Sequence, residues 1–339
     1  MKKFLFLAIA ATAFASCSQD EVLEVAQKQA IQFGEAFIGN ATRAVDPSYT
    51  ANNITSFKLF GTVEDVNIYN DVTIARDSKA YNEAWTQVDG TTQYWVADAD
   101  YKFIAIIDGD KKDGDKVITS TAVTNGMPTT ITYYADGETD LLCDIETRRN
   151  NTSLVGFTFT HLLSKVYFTF TNKMPAESKY TYKVSDVKIT SGLYKSGTYT
   201  IEPAEGVAPW SLGTGLTDAN VTTDDLSFGN IVADDNSTDA VNLTYDVAKT
   251  SKYARLILPG KQTLKVAYTL EILYDGESVQ TYNKTADIKN TDGTAYNFLA
   301  NYVYNIQGIL QQDLETPIQF TVTAAPAWGN EQPEVITIQ

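Results

Sequence analysis

The chain has 339 residues, a formal net charge of −16 at pH 7 and two cysteines. Such an acidic chain is poorly suited to nucleic acid or anionic lipid headgroups, which attract basic surfaces. The length is enough for two domains of ordinary size, and the abundance of Thr, Tyr, Val, Ile and Phe favours β-structure over helix.

The N-terminus is typical of an exported lipoprotein. Lys2 and Lys3 precede an apolar stretch, residues 4–13, which is too short to span a bilayer and is typical of a signal peptide. Small residues then precede Cys17, and this arrangement resembles the lipobox, in which the cysteine is acylated and becomes the new N-terminus. We therefore predict a signal peptide over residues 1–16, lipidation of Cys17, and export to the outer membrane and cell surface. An ordinary signal peptide with an incidental cysteine is the alternative.

The next segment, residues 17–43, contains one alternating stretch. Ile31, Phe33 and Phe37 share one parity, and polar or small neighbours separate them, as expected for a half-buried strand. A polar turn then leads to Arg43. This stretch is either the first strand of the body or a strand that can be removed.

The body is predicted to divide at a polar break into two antiparallel β-sandwich domains. Residues 44–150 would form the first domain and residues 151–339 the second. The alternation is clearest at Val166, Phe168 and Phe170, which are separated by Tyr and Thr. Many short strands with turn signals between them are typical of sandwiches.

Three local features are predicted within these domains. Asp275-Gly276 indicates a hairpin turn between two strands. Residues 295–300 fit a short helix. The Asp-rich stretch 108–115 is typical of a solvated hairpin turn, since its spacing does not match a calcium-binding EF-hand loop, although closely spaced carboxylates also suit calcium.

Candidate catalytic residues are few. His161 is the only histidine, so no multi-histidine metal site is available, and no Gly-x-Ser-x-Gly motif occurs. If Cys17 is lipidated, Cys143 has no disulfide partner and is expected to be an inert buried side chain. A Cys143–His161 dyad is the conceivable nucleophile–base pair. We expect no enzymatic activity, no metal and no cofactor.

The tryptophans are the candidates for a glycan-binding surface, because sugars stack on aromatic faces. Trp210 lies in a predicted loop and is the most exposed candidate, while packing in the core is the alternative for all four. The four residues are Trp85, Trp95, Trp210 and Trp328.

Several short motifs occur in one order along the chain. They are Ile31-Gln32-Phe33-Gly34, Asn40-Ala41-Thr42-Arg43-Ala44, His161-Leu162-Leu163-Ser164-Lys165-Val166, and Ile318-Gln319-Phe320-Thr321-Val322 with Trp328. Together with the lipobox they resemble the fimbrillins, the major fimbrial subunits and Mfa-like relatives that build type V pili.

The resemblance implies an all-β chain with two tandem transthyretin-like antiparallel β-sandwich domains. It also implies that an arginine-specific protease cuts between Arg43 and Ala44, so that residues 17–43 leave with the lipid and the first strand. The vacated groove would accept a donor strand, here residues 334–339, from another fimbrial subunit. The apolar residues of that donor strand would be Val335, Ile336 and Ile338.

The predicted function is that of a structural subunit of a surface fimbrium that supports adhesion. Its partners would be other fimbrial subunits, the processing protease, the outer membrane through the lipid before cleavage, and host or bacterial surface glycans or proteins. The alternative is a permanently lipid-anchored surface lipoprotein, either a fimbrial anchor or tip subunit or a glycan-binding protein. Stalk, tip and anchor roles are all compatible with the sequence, and residues 334–339 would either be donated or complete their own domain.

Overall fold

The protein is built from β-structure throughout its described parts. The computed structural model describes residues 29–38, 54–76, 85–107, 112–113, 116–149, 153–212, 226–234, 236–290, 292–311, 318–326 and 334–336. Regular secondary structure in these ranges consists of strands, as the composition predicts. None of these residues belongs to a helix long and apolar enough to cross a membrane.

The first strands lie between residues 33 and 161. They are β1 (Phe33–Ile38), β2 (Ser56–Val63), β3 (Val66–Ala75), β4 (Thr86–Gln87), β5 (Asp100–Ile107), β6 (Lys112–Asp113), β7 (Lys116–Val117), β8 (Thr119–Thr124), β9 (Met127–Tyr134), β10 (Leu142–Arg149) and β11 (Val155–His161). β6 and β7 pair with each other, so residues 112–113 of the Asp-rich stretch lie in a short antiparallel pair, and the rest of that stretch lies outside the described residues.

The remaining strands lie between residues 164 and 336. They are β12 (Ser164–Asn172), β13 (Tyr180–Ser191), β14 (Ser196–Thr200), β15 (Trp210–Ser211), β16 (Leu226–Gly229), β17 (Lys249–Thr250), β18 (Arg255–Ile257), β19 (Gly260–Gln262), β20 (Leu264–Tyr274), β21 (Glu277–Ile288), β22 (Tyr296–Phe298), β23 (Tyr302–Leu310), β24 (Gln319–Pro326) and β25 (Glu334–Ile336).

Two local predictions have opposite outcomes. The hairpin between β20 and β21 turns at Asp275 and Gly276, whose positive φ angles of 53° and 89° suit a tight hairpin turn. The predicted helix over residues 295–300 is wrong, because β22 occupies this stretch and pairs with β19. Its aromatic residues Tyr296 and Phe298 alternate into the core, and this burial outweighs a weak local preference for helix.

The first half of the chain forms a seven-stranded sheet in the order β1-β11-β10-β5-β2-β3-β4. β1 runs parallel to β11, whereas the other neighbours are antiparallel. One face of this sheet encloses an aromatic core that includes Phe57, Tyr69, Phe103, Phe157 and Phe159.

The second half forms a β-sandwich. One sheet has the order β17-β12-β23-β24-β25, with β18 also on β12, and the other has the order β16-β13-β20-β21. Their inner faces share one core, in which Val166, Phe168 and Phe170 are fully buried, as their alternation predicts.

A third sheet, in the order β15-β14-β9-β8, joins the two halves. It packs against the other face of the seven-stranded sheet, and a core that includes Phe60, Ile104, Ile131 and Tyr133 lies between them. The division after residue 150 and the tandem transthyretin-like arrangement remain predictions. Among the described strands, hydrogen-bonded pairing crosses residue 150 where β11 pairs with β1 and β10 and where β14 pairs with β9.

Candidate functional site

Residues 29–38 lie in a groove between two walls of the seven-stranded sheet. The first wall is β11. Phe33 pairs with Val155, residues 36–38 pair in parallel with residues 157–159, and the Val155 amide donates to the Gln32 carbonyl at 2.9 Å. This side of the segment is therefore hydrogen-bonded like an interior strand.

The second wall is the stretch from Trp85 to Trp95. The Ile31 amide donates to the Gln93 carbonyl at 2.9 Å, and the Trp95 amide donates to the Gln29 carbonyl at 2.9 Å. Antiparallel bridges join Ala30 to Tyr94 and Phe33 to Trp85.

Residues 29–38 thus close the sheet on itself. Trp85 adjoins β4, the last strand of the sheet that begins with β1. Residues 29–33 contact the second wall and residues 32–38 pair with β11, so removal of the segment would leave unpaired backbone groups on both walls.

Three side chains of the segment are inserted into the core. Ile31 and Phe33 are each 6% exposed and Ala36 is 1% exposed. The Phe33 ring lies 5.7 Å from the ring of Tyr69 between centroids, and edge-on contacts of this kind favour tight aromatic packing. Burying Ile31 and Phe33 contributes about 1.5–3 kcal/mol each.

The inward parity changes within this segment. The register with β11 shifts between Phe33 and Ala36, so both of these residues are buried although three positions separate them. Gly34 lies in the shifted stretch, and a Cβ atom added there would lie 2.9 Å from Cβ of Leu154. The groove therefore has room for a large side chain at position 33 and little room for one at position 34.

Two buried polar atoms in this core have no hydrogen-bond partner among the described residues. They are the Tyr69 hydroxyl and the indole nitrogen Nε1 of Trp95. Burial raises the pKa of Tyr69 well above its ordinary range, and the charge of nearby Tyr101 raises it further. A buried polar atom without a hydrogen bond lowers the stability of the fold. These two atoms therefore do not stabilise the core, and its stability comes from apolar contacts.

Replacing Tyr69 by phenylalanine should therefore leave the stability unchanged or raise it slightly, because no hydrogen bond is lost. The matched control is Tyr133→Phe, since the Tyr133 hydroxyl donates to Asp136 Oδ1 at 3.0 Å. We expect the control to lower the free energy of unfolding by about 1–3 kcal/mol. Urea unfolding of both variants measures the difference, and an equal loss in the two would contradict the prediction.

No side-chain pattern in the sequence marks the second wall. Gln93 and Tyr94 contribute through backbone groups, and these leave no mark in the side-chain pattern. Trp85 and Trp95 are buried beside the groove.

The other residues predicted to act in assembly lie in different places. In β25, Val335 pairs with Thr323 and Ile336 with Val322 of β24, so this strand lies at the edge of a sheet of its own chain. Cys17, Arg43, Ala44 and Ile338 lie outside the described residues, as does the side chain of Phe37.

The conceivable catalytic pair is not assembled. Leu142 pairs directly with His161, so adjacent Cys143 faces the opposite side of the sheet. Burial, with the nearby charges of Asp144 and Glu202, raises the pKa of Cys143 to about 12. His161 Nδ1 lies 2.7 Å from Asp140 Oδ2.

The tryptophan predicted to be most exposed is packed. Trp210 is half-buried in β15, and its Nε1 donates to the Leu162 carbonyl at 2.9 Å. Trp328 lies outside the described residues. Within the described parts of the chain, no group of three or more His, Cys, Asp or Glu side chains is arranged to hold a metal ion.

Comparison with known proteins supports a fimbrial relationship. The family described as fimbrillin-like matches residues 42–326. A fimbrial protein from Bacteroides vulgatus ATCC 8482 has a similar structure, with a TM-score of 0.57 and 14% identity over 86% of this chain and 98% of that chain. A proposed cell adhesion protein from Bacteroides uniformis ATCC 8492 has a TM-score of 0.48 and 16% identity over 89% and 98% of the two chains. No curated protein matches the sequence.

At such low identity, the similarity to the Bacteroides vulgatus structure shows the fold alone. The family assignment depends instead on the sequence match, which begins at Thr42, beside Arg43, and continues through β24 to Pro326. It covers most of the 339 residues. The chain therefore belongs to the fimbrillin-like family.

Proposed function

We propose that this protein is a non-enzymatic structural subunit of a surface fimbrium that is exported as a lipoprotein, cleaved after Arg43 and assembled by strand exchange. The observation that carries the proposal is that residues 29–38 are bound in the groove between β11 and the stretch from Trp85 to Trp95. These residues precede the proposed cut, and they fill a groove whose two walls both bond to them.

Loss of this segment would leave an unstable groove. The amides of Val155 and Trp95 and the carbonyl of Gln93 would lose their partners, and the rings around Phe33 would be exposed to water. A strand from another subunit would restore both the hydrogen bonds and the buried apolar area. Assembly would thus be driven by the repair of a defect that proteolysis creates.

The donor is proposed to be the C-terminal strand, residues 334–339. Only its first three residues are described, and they pair with β24 at a sheet edge. Donation would exchange this pairing at a sheet edge for the pairing offered by the two walls of the groove. A head-to-tail contact of this kind joins two different surfaces, so it need not close and generates a filament.

The test is to replace Arg43 by alanine in the cell that produces the protein. We expect unprocessed chains on the surface and no SDS-resistant ladder, whereas Thr42→Ala, the matched control, is cleaved and polymerises. Arg43→Lys should behave like Arg43→Ala if the protease is specific for arginine. Ladders formed by Arg43→Ala chains that begin at Cys17 would contradict the proposal.

A permanently lipid-anchored subunit or glycan-binding lipoprotein is the second candidate. It is favoured by the pairing of β25 with its own β24, since a strand that completes its own domain is not donated. The N-terminus of the wild-type surface protein separates the two candidates. An acylated Cys17 followed by residues 18–43 supports the second, and a chain beginning at Ala44 supports the first.

A further inference from the structure

We propose that the donor strand of a second copy of this chain enters the groove in one register, with Ile336 in the place of Ile31 and Ile338 in the place of Phe33. This inference rests on the proposed function and adds to it the direction and alignment of the incoming strand.

The two walls specify the direction. The present occupant runs parallel to β11 and antiparallel to the bridging residues Trp85 and Tyr94. Parallel and antiparallel ladders space their hydrogen bonds differently. A strand entering in the opposite direction would therefore meet the Val155 and Trp95 amides and the Gln93 carbonyl at mismatched positions.

In the proposed register, each of these three wall groups regains a partner. Residues 334–339 take the places of residues 29–34. The Glu334 carbonyl then accepts from the Trp95 amide, and the Ile336 amide donates to the Gln93 carbonyl. The Thr337 carbonyl accepts from the Val155 amide. None of the six donor residues is proline, so every required amide is available.

Other registers bury the wrong side chains. A shift that puts Ile336 at position 33 puts Glu334 at position 31, and an unpaired carboxylate in this aromatic core is strongly unfavourable. The opposite shift puts Ile338 at position 31 and moves Ile336 to position 29, whose present side chain is exposed. A shift of the donor strand by one residue turns its other face towards the core, so that Thr337 is buried in place of an isoleucine. The proposed register alone buries both isoleucines.

The proposed register also places Gln339 at the position of Gly34. A Cβ atom there would lie 2.9 Å from Cβ of Leu154, so this position is tight. Position 33, in contrast, is shaped by an aromatic ring. In the proposed register, the position of Phe33 therefore accepts a larger side chain than isoleucine, whereas the position of Gly34 disfavours any side chain.

The direct test is a disulfide between subunits. Because Ala30 and Tyr94 are directly opposite in an antiparallel bridge, Val335 in the place of Ala30 would face Tyr94. Such pairs have Cα atoms about 4.5–5.5 Å apart, which suits a disulfide. Polymers of the Val335→Cys/Tyr94→Cys chain, oxidised and heated in SDS, should give a covalent ladder that disappears on reduction. Tyr94 is 46% exposed, so its replacement spares the core.

In the matched controls, the cysteine of the donor strand is moved by one residue, from position 335 to position 334 or 336. Glu334→Cys or Ile336→Cys, each combined with Tyr94→Cys, should form at most about a tenth of the covalent ladder, because neighbouring residues point to opposite faces. Equal or stronger cross-linking in a control overturns the register. Failure of the wild-type chain to polymerise would instead overturn the proposed function, and the register with it.

Two variants at the C-terminus test the same register without touching the body of the subunit. Ile338→Phe should slow the dissociation of polymers by roughly threefold or more, since a phenylalanine ring fills position 33. Gln339→Gly should also slow dissociation, because it relieves the contact with Leu154. Faster dissociation of both variants would contradict the alignment.

Discussion

Replacing Phe33 by alanine in the uncleaved chain is expected to lower the free energy of unfolding by about 3–5 kcal/mol. The Phe33 ring is buried between the rings of Tyr69, Phe103 and Phe157, at centroid distances of 5.7, 6.4 and 6.5 Å. Its loss would leave a cavity in a core that cannot collapse easily, because rigid rings on several strands surround it. Urea unfolding of residues 18–339, followed by tryptophan fluorescence, measures the effect.

The matched control is Gln32→Ala in the same segment. The Gln32 side chain is exposed, and its carbonyl, which accepts from Val155, remains in the alanine variant. We expect a change within about 0.5 kcal/mol for this control. A Phe33→Ala variant that unfolds like Gln32→Ala would show that residues 29–38 do not contribute to the core in solution.

Cleavage after Arg43 is expected to leave the N-terminal fragment bound until another strand displaces it. The fragment keeps the three backbone bonds to Gln93, Trp95 and Val155, and its apolar side chains stay buried. A cut outside residues 29–38 removes none of these contacts. Size-exclusion chromatography of the cleaved chain, followed by mass spectrometry, should therefore recover residues 18–43 together with the body.

Phe33→Ala distinguishes retention from slow proteolysis. Losing about 3–5 kcal/mol of contact should speed release of the fragment by about a hundredfold or more. Cleavage itself should proceed at the same rate in both proteins, because Arg43 is unchanged. A wild-type fragment that separates from the body as soon as the chain is cut would refute the prediction.

Retention has a consequence for the order of steps. In the proposed lipoprotein, the acyl chains lie on Cys17 and so on the fragment. A cleaved subunit would stay at the membrane through non-covalent contacts of residues 29–38. Strand exchange, rather than proteolysis, would then release the body from the lipid.

The local features of this protein were predictable because they depend on near neighbours in the chain. Val166, Phe168 and Phe170 alternate with Tyr and Thr, and this period of two places the three apolar side chains on the same face of β12. Asp275-Gly276 is suited to the positive φ angles of a hairpin turn. The short motifs were likewise enough to indicate the family.

The pairing of strands could not be predicted in the same way. Alternation shows that a strand has a buried face but carries no information about its neighbours. The parallel contact of β1 with β11, more than a hundred residues away, depends on how the intervening strands fill the space. The change of parity between Phe33 and Ala36 has the same origin, because a register shift is set by the partner strand.

The sequence by itself determined the β class and membership of the fimbrillin-like family, while the lipoprotein leader and cleavage after Arg43 remain predictions. The tertiary structure alone decided that residues 29–38 close a sheet between two walls, and that Gln93 and Trp95 form the second wall. The physical reason is that these contacts are made by backbone groups. Every residue carries such groups, and only the folded arrangement of strands determines which of them meet.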